Sequence, residues 1–314
     1  MPKYTLRQLE YFVAVADAGT VTRAASRVHL SQSAMSTALA DLERVLGVQL
    51  LMRHHARGVT LTPAGDQLLV VARQLLSQAE DLESSAHELG GELSGRVPLG
   101  CFAILSPYLV PRVLAAAGER LPALEVEPQE ETLDGVEQGL LEGRFELALT
   151  YDLGSGAGIV REPLSTVAPH AVLASTHPRA RQRSVRLSDL SAEPFALLDL
   201  PHSREYFESV FATAGVVPIV RYRTRSTETV RALVGRGLAW GLLNLRPAHD
   251  ESVEGLPVVT LPLTGAGPEL TVVLARAATA RPTRRADALA ALCRDVLTEQ
   301  PPAARRRARR VRQE

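Results

Sequence analysis

The chain has 314 residues, 46% of them hydrophobic, and a formal net charge of zero. More than one packed domain is therefore expected, and a uniformly basic polypeptide that coats nucleic acid is excluded. The two cysteines, Cys101 and Cys293, show neither metal-ligand spacing nor a secreted disulfide pattern, the opening MPKYTLRQLE lacks a signal-peptide core, and no apolar run is long enough for a bilayer; a reduced cytoplasmic setting without a membrane partner is the expectation.

In chain order, Thr5 to Gln8 spells a capping box, so a first helix begins near Leu6, buries Leu6, Leu9, Phe12, Val13 and Ala16, and ends at Gly19. A short helical stretch from Thr22 to Val28 then meets a tight His29-Leu30-Ser31 corner, and a second runs from Gln32 to about Leu46. Ala24, Ala25, Val28, Leu30, Met35, Leu39, Leu42 and Leu46 fall at helical spacing and predict one small core, the grammar of a helix-turn-helix whose second helix enters the DNA major groove. Its first exposed positions, Gln32, Ser33, Ser36 and Thr37, are small and polar and suit base edges at close range. Ser31 is the expected N-cap, where free amides favour a phosphate, and Thr22, at the head of the preceding helix, is counted with the DNA-facing set. Two strand-like runs, Leu50–Met52 and Val59–Leu61, flank a basic turn that reads as a wing. Arg53 and Arg57 are placed to meet backbone or minor groove, the competing reading being solvated arginines. His54-His55 read as phosphate contacts or exposed residues, not metal ligands.

From Thr62-Pro63 a long helix is expected, with Leu68, Leu75, Leu82 and Leu89 repeating every seven residues and Gly90-Gly91 closing it. Two readings stand: a dimerising seam, or a stripe packed on its own chain. The seam is favoured because one reading helix, at about 1–3 kcal/mol per bidentate base contact, falls short of the roughly 4–10 kcal/mol that separates specific from nonspecific binding. After Gly95 strand-like and helical runs alternate. Strands are expected at 96–102, 124–130, 146–152, 171–175, 195–200, 220–225, 240–245, 258–263 and 270–275, with helices near 107–121, 133–142, 204–214, 227–235 and 283–297. Alternation of this kind predicts α/β architecture with mostly parallel sheets. Beyond Pro301-Pro302 an arginine-rich tail (301–314) reads as solvated and disordered, with nonspecific phosphate attraction as the alternative.

The segments LRQLEYFVAVADAGTVTRAA, SQSAMSTALADLERVLGVQL and RHHARGVTLTPAG, running without a gap from Leu6 to Gly65, resemble the winged helix-turn-helix of LysR-type transcriptional regulators. The family often has Pro where Ser33 stands and Phe where Leu51 stands. GRFELALTYD and RSTETVRALVGRGLAWGLLN are similar, more loosely, to strands and helices of the family's two-lobed effector-binding domain, itself like periplasmic binding proteins. The resemblance implies a winged helix-turn-helix over 1–62, a dimerising linker helix over 63–91 and an effector domain over 92–300. Its first lobe would take about 96–166 and 270–300, and its second about 168–264. It further implies double-stranded promoter DNA and a small-molecule effector as partners, self-association as dimer and tetramer, and control by population shift between lobe arrangements.

Ligands of open α/β sheets settle outside the carboxyl ends of strands. Four such edges are candidates: Ala103, Leu105 and Ser106; Thr150, Tyr151 and Asp152; His202, Ser203 and Arg204; Ser226 and Thr227. Helix starts and Arg204 favour an organic anion, unless Arg204 pairs with Glu208 on its own helix. Ser203 also reads as a helix cap, Tyr151 as core, and Asp152 as a repeller of anions. No nucleophile elbow, phosphate loop or zinc-protease motif occurs, so no catalytic residue, metal or cofactor is expected.

Overall fold

The computed structural model describes residues 3–54, 58–87, 93–153, 156–265 and 267–297. Arg57, Leu89, Gly90-Gly91, the tail and the side chain of Arg53 lie outside the described residues.

The first domain follows from its caps. The Thr5 hydroxyl accepts from the Gln8 amide while the Gln8 side chain accepts from Thr5 N–H, which starts α1 (Leu6–Ala18); Gly19, at φ 67°, ends it. Helix α2 (Val21–Arg27) is capped by Thr20, and α3 (Gln32–Leu46) by Ser31. Between them His29 takes a left-handed φ of 54°, which lets Leu30 N–H reach the Ala25 carbonyl and folds the corner. Phe12, Met35, Leu39 and Leu42 close the small core. Strands β1 (Leu51–His54) and β2 (Gly58–Leu61) pair antiparallel as the wing.

Helix α4 (Pro63–His87) follows, with Thr62 accepting from the Gly65 amide. Its inner face, Leu69 and Ala72, is buried against the first domain, and Leu68 and Leu75 are half-buried there. The heptad stripe is thus divided: two leucines pack partly on their own chain, whereas Val71 and Leu82 are 56% and 74% exposed.

The remaining chain forms two lobes. The first holds β3 (Gly95–Phe102), α5 (Ser106–Arg120), β4 (Leu124–Glu131), α6 (Leu133–Leu141), β5 (Leu147–Tyr151), β6 (Ile159–Val167), β12 (Leu270–Ala277) and α9 (Arg284–Leu297), with strand order β4-β3-β5-β12-β6. The second holds β7 (His170–Ala174), β8 (Pro194–Leu198), α7 (Ser203–Thr213), β9 (Ile219–Thr224), α8 (Thr227–Gly235), β10 (Trp240–Leu243) and β11 (Val258–Pro262), in order β11-β7-β10-β8-β9.

Two sequence expectations are corrected. The sheets are mixed, not mostly parallel: β12 runs antiparallel to both β5 and β6, and β7 antiparallel to both β10 and β11. The chain crosses between lobes twice, and the strand that follows each crossing, β7 or β12, enters its sheet reversed. Strand β6 was not expected at all. It carries Pro163, which is tolerated because β6 is an edge strand and the ladder slips there, pairing Val273 with Pro163 and leaving Leu164 as the bulged residue.

His170, at the start of β7 beside the first crossing, is buried with its Nε2 unpartnered among the described residues. Burial, then the nearby positive charge of Arg246 and Arg231, pulls its pKa down to about 4, while a hydrogen bond to the Ala168 backbone opposes the shift. Unfolding returns it to about 6.5, so the unfolded chain binds more protons between pH 4 and 6.5. Stability is full above pH 6.5 and falls with acidification, by about 3 kcal/mol on reaching pH 4. Urea unfolding across this range should show that loss, and His170→Asn should flatten it; an unchanged slope in the variant would contradict the assignment.

Candidate DNA interface and effector cleft

At the head of α3 the Ser31 hydroxyl accepts from the Ala34 amide and shares a 3.0 Å hydrogen bond with Ser33 Oγ. Thr37 Oγ1 donates to the Ser33 carbonyl at 3.0 Å. Three of the five polar side chains expected to face DNA from the head of α3 are thus engaged in local bonds that stiffen the helix start. The exposed Gln32 and the half-buried Ser36 have no such side-chain bond among the described residues. Thr22 is exposed in the first turn of α2, its carbonyl accepting from Ser26 Oγ.

The wing is held by a residue the sequence reading missed. Glu43 Oε1, on α3, accepts from the amides of Leu50 and Leu51 at 2.7 and 3.1 Å, fixing where β1 leaves the helix. Gly58 is required at φ 87°, because a Cβ there would lie 2.4 Å from the Gly19 carbonyl oxygen. His54 bonds Thr60 Oγ1 across the ladder at 2.8 Å.

A set of polar bridges fastens this unit to the first lobe. Arg73, on α4, is 9% exposed; its guanidinium pairs with Asp17 on α1 and donates to the Glu142 carbonyl at the end of α6. Burial lowers its pKa, and the charges of Asp17 and Glu142 oppose that. Four residues on, Ser77 Oγ donates to Glu146, whose other oxygen accepts from the amide and hydroxyl of Thr283. Arg285, 1% exposed, donates to the Ser77 carbonyl and to Glu80. Gly95, at φ 115°, leaves it room, since a Cβ would stand 2.6 Å from Nη1.

Between the lobes lies a cleft of about 470 Å³. Ala103, His202, Ser226 and Thr227 line it as expected. Tyr151, Ser203 and Thr227 line an adjoining recess at its floor. The other expected positions lie elsewhere. Leu105 and Thr150 are fully buried, and Ser106 is buried with its hydroxyl on Glu130 at 2.6 Å. Asp152 is exposed beside Arg161, and Arg204 pairs with Asp199 rather than Glu208. Arg223 shares that carboxylate.

The reading missed the edge formed by the carboxyl end of β4 and the start of α6: Glu131, Thr132, Leu133 and Asp134 all line the cleft. The strand-end rule covers this edge: the strand at 124–130 was expected, and only its carboxyl end was not counted among the candidates. Arg225, also missed, lines the cleft immediately before the Ser226 cap of α8 and has no ion-pair partner among the described residues. His202 Nε2 bonds Asp134 Oδ1 at 2.7 Å, joining the two lobes across the opening. The backbone of His202 (φ 61°, ψ −40°) forms a tight turn in which Ser203 N–H bonds the Pro201 carbonyl at 2.7 Å, the uncommon, strained hand of the three-residue turn.

Residues 6–66 match the family described as bacterial regulatory helix-turn-helix protein, lysR family, and residues 90–298 match the LysR substrate binding domain. The chain belongs to the LysR family of transcriptional regulators. Within it, the hydrogen peroxide-inducible genes activator of Dickeya chrysanthemi is 30% identical over 270 residues, covering 86% of this chain and 88% of that protein. The crystal structure of HinK, a LysR family regulator from Pseudomonas aeruginosa, is 34% identical with a TM-score of 0.62, over 94% of this chain and 99% of HinK. The C-terminal domain of a probable LysR regulator from Rhodococcus sp. RHA1 is 38% identical with the same TM-score, over 64% of this chain and 98% of that domain. The chain is thus a DNA-binding transcriptional regulator with an N-terminal winged helix-turn-helix and a two-lobed α/β effector-binding domain.

Arg73→Met keeps the aliphatic stem and removes the bridge. Because Asp17 is partly exposed, the expected loss is about 1–2 kcal/mol in urea unfolding. A variant as stable as the parent would show that the bridge is slack.

Proposed function

We propose that α3 reads base edges in a DNA major groove chiefly through Gln32 and Ser36, with Ser31 and Ser33 at the helix start, Thr37 one turn on, Thr22 beside them and the wing arginines Arg53 and Arg57 meeting phosphate or minor groove. The observation that carries this is the cap network at Ser31, which holds a rigid helix start with two uncommitted polar side chains. Two chains pair through the outer face of α4, and pairs of pairs form a tetramer. Val71 and Leu82 are open apolar side chains on that face, and burying each in a dimer would contribute about 1.5–3 kcal/mol before association costs. The working division is 1–62 for DNA, 63–91 for pairing, 92–300 for the effector and 301–314 for the tail. The protein acts in the cytoplasm on promoter DNA and is not an enzyme; no helix among the described residues is long and apolar enough to cross a membrane.

The effector is a small organic anion bound in the interlobe cleft. Arg204, the guanidinium first considered for it, pairs with Asp199 and does not line the cleft, so the role passes to Arg225, just before the Ser226 cap of α8. The effector acts by binding one lobe arrangement better than the other, which shifts the spacing of paired helix-turn-helix units. The peroxide response named for the Dickeya relative is not carried over through cysteine chemistry. Cys101 and Cys293 are both buried, and burial pushes each thiol up to about 12, which keeps it from the thiolate form that attacks a peroxide oxygen.

Footprinting on promoter fragments tests the reading. Gln32→Ala should weaken specific binding by about 1–3 kcal/mol while leaving nonspecific affinity unchanged; an equal loss on both would make Gln32 a backbone contact or nothing. Val71→Glu with Leu82→Glu should give a folded monomer in sedimentation velocity and erase the footprint, and a dimer with intact protection would remove α4 from the interface.

A further inference from the structure

Tyr151, the last residue of β5, is 4% exposed, and its phenol oxygen has no hydrogen-bond partner among the described residues. It lines the recess at the floor of the cleft, opposite Tyr206, Phe207 and Asn244 of the second lobe. The neighbouring phenol is satisfied in full: Tyr206 donates to the Pro268 carbonyl and accepts from Asn244 Nδ2, each at 2.8 Å. The ring of Tyr151 is fixed by Phe102, packed edge-on at 5.9 Å. Its hydroxyl therefore cannot swing to a distant acceptor without unpacking the sheet. A buried hydroxyl without a partner destabilises the chain that carries it, and a phenylalanine would fill the same space without that cost.

Recess and cleft share Ile104 and Thr227 in their linings, so the two adjoin. Phe102, Pro107, Tyr108 and Leu200 supply apolar walls along the cleft, and Arg225 stands at the wide end.

We propose that Tyr151 is the specificity-determining hydrogen-bond donor for the effector, an elongated organic anion that sets an acceptor oxygen on the Tyr151 hydroxyl at the floor and its charged group at Arg225, with an apolar midsection between. The inference rests on the effector reading above and adds to it an internal polarity. Burial drives the phenol's pKa well above its ordinary value, so the group meets a ligand as a neutral donor. A molecule with an apolar inner end leaves the hydroxyl unpaired and is rejected, in the way buried polar groups discriminate against analogues lacking their partner.

The test uses the full-length chain and two readouts. Without added ligand, Tyr151→Phe should raise the melting temperature by roughly 2–4 °C, whereas Tyr206→Phe, which breaks two satisfied bonds, should lower it. In cells, the ratio of regulated transcript between the two growth conditions where the wild type differs most should collapse towards one in Tyr151→Phe and in Arg225→Met. A melting temperature unchanged or lowered in Tyr151→Phe overturns the proposal, because the hydroxyl then already has a partner. A raised melting temperature with the wild-type ratio intact in either variant overturns it too, because the effector then does not use that end. If the wild type itself shows no condition-dependent ratio, the effector reading fails at its root, which is a different outcome from either variant behaving like the wild type.

Discussion

A buried guanidinium holds the molecule's parts in one geometry. Arg73 lies on the inner face of α4 between α1 and the end of α6, and each of its partners belongs to a different unit. A charge so placed is tolerable only while its hydrogen bonds are made, so the winged unit and the first lobe cannot separate there without leaving it unpaired. Ser77, Glu146, Thr283 and Arg285 extend the same fastening along α4. The outer face of that helix keeps Val71 and Leu82 open to solvent. One helix therefore presents to its own chain a buried face of Leu69 and Ala72 flanked by Arg73 and Ser77, and an apolar, exposed face away from it.

The winged unit was legible because its signals are local. A capping box, a serine cap and a glycine at positive φ each act within four residues, and all occur where the sequence places them. The half-buried state of Leu68 and Leu75 was not legible, since heptad spacing says which residues share a face and not which surface meets it. Strand β6 escaped because Pro163 breaks the pattern of a strand, and only an edge position with a bulge reconciles the two. Glu43 and Arg73 escaped for a different reason: their partners are backbone amides and a carbonyl, or side chains far along the chain, and no residue pattern announces such a bond.

The cleft shows the same division between local and distant. Reading strand ends pointed to Ala103, His202, Ser226 and Thr227, and all four line its wall, because the carboxyl ends of strands in each lobe converge on one opening. Side-chain orientation then removed Leu105, Ser106 and Thr150, which turn into the core. Charge also rearranged. Asp199 draws Arg204 and Arg223 to itself, leaving Arg225 as the cleft's open cation among the described residues. Across the mouth, the His202–Asp134 bond ties lobes that are otherwise joined by the two crossing segments, and the strained turn at His202 is a local cost that this contact offsets.

The most direct measurement is selection of bound duplexes from a random pool by the full-length chain at moderate ionic strength. Paired reading helices predict enrichment of a dyad-symmetric sequence whose half-sites lie about one helical turn, or a whole multiple of it, apart. Recovery of a single short motif with no preferred spacing, or of no motif at all, would contradict the account.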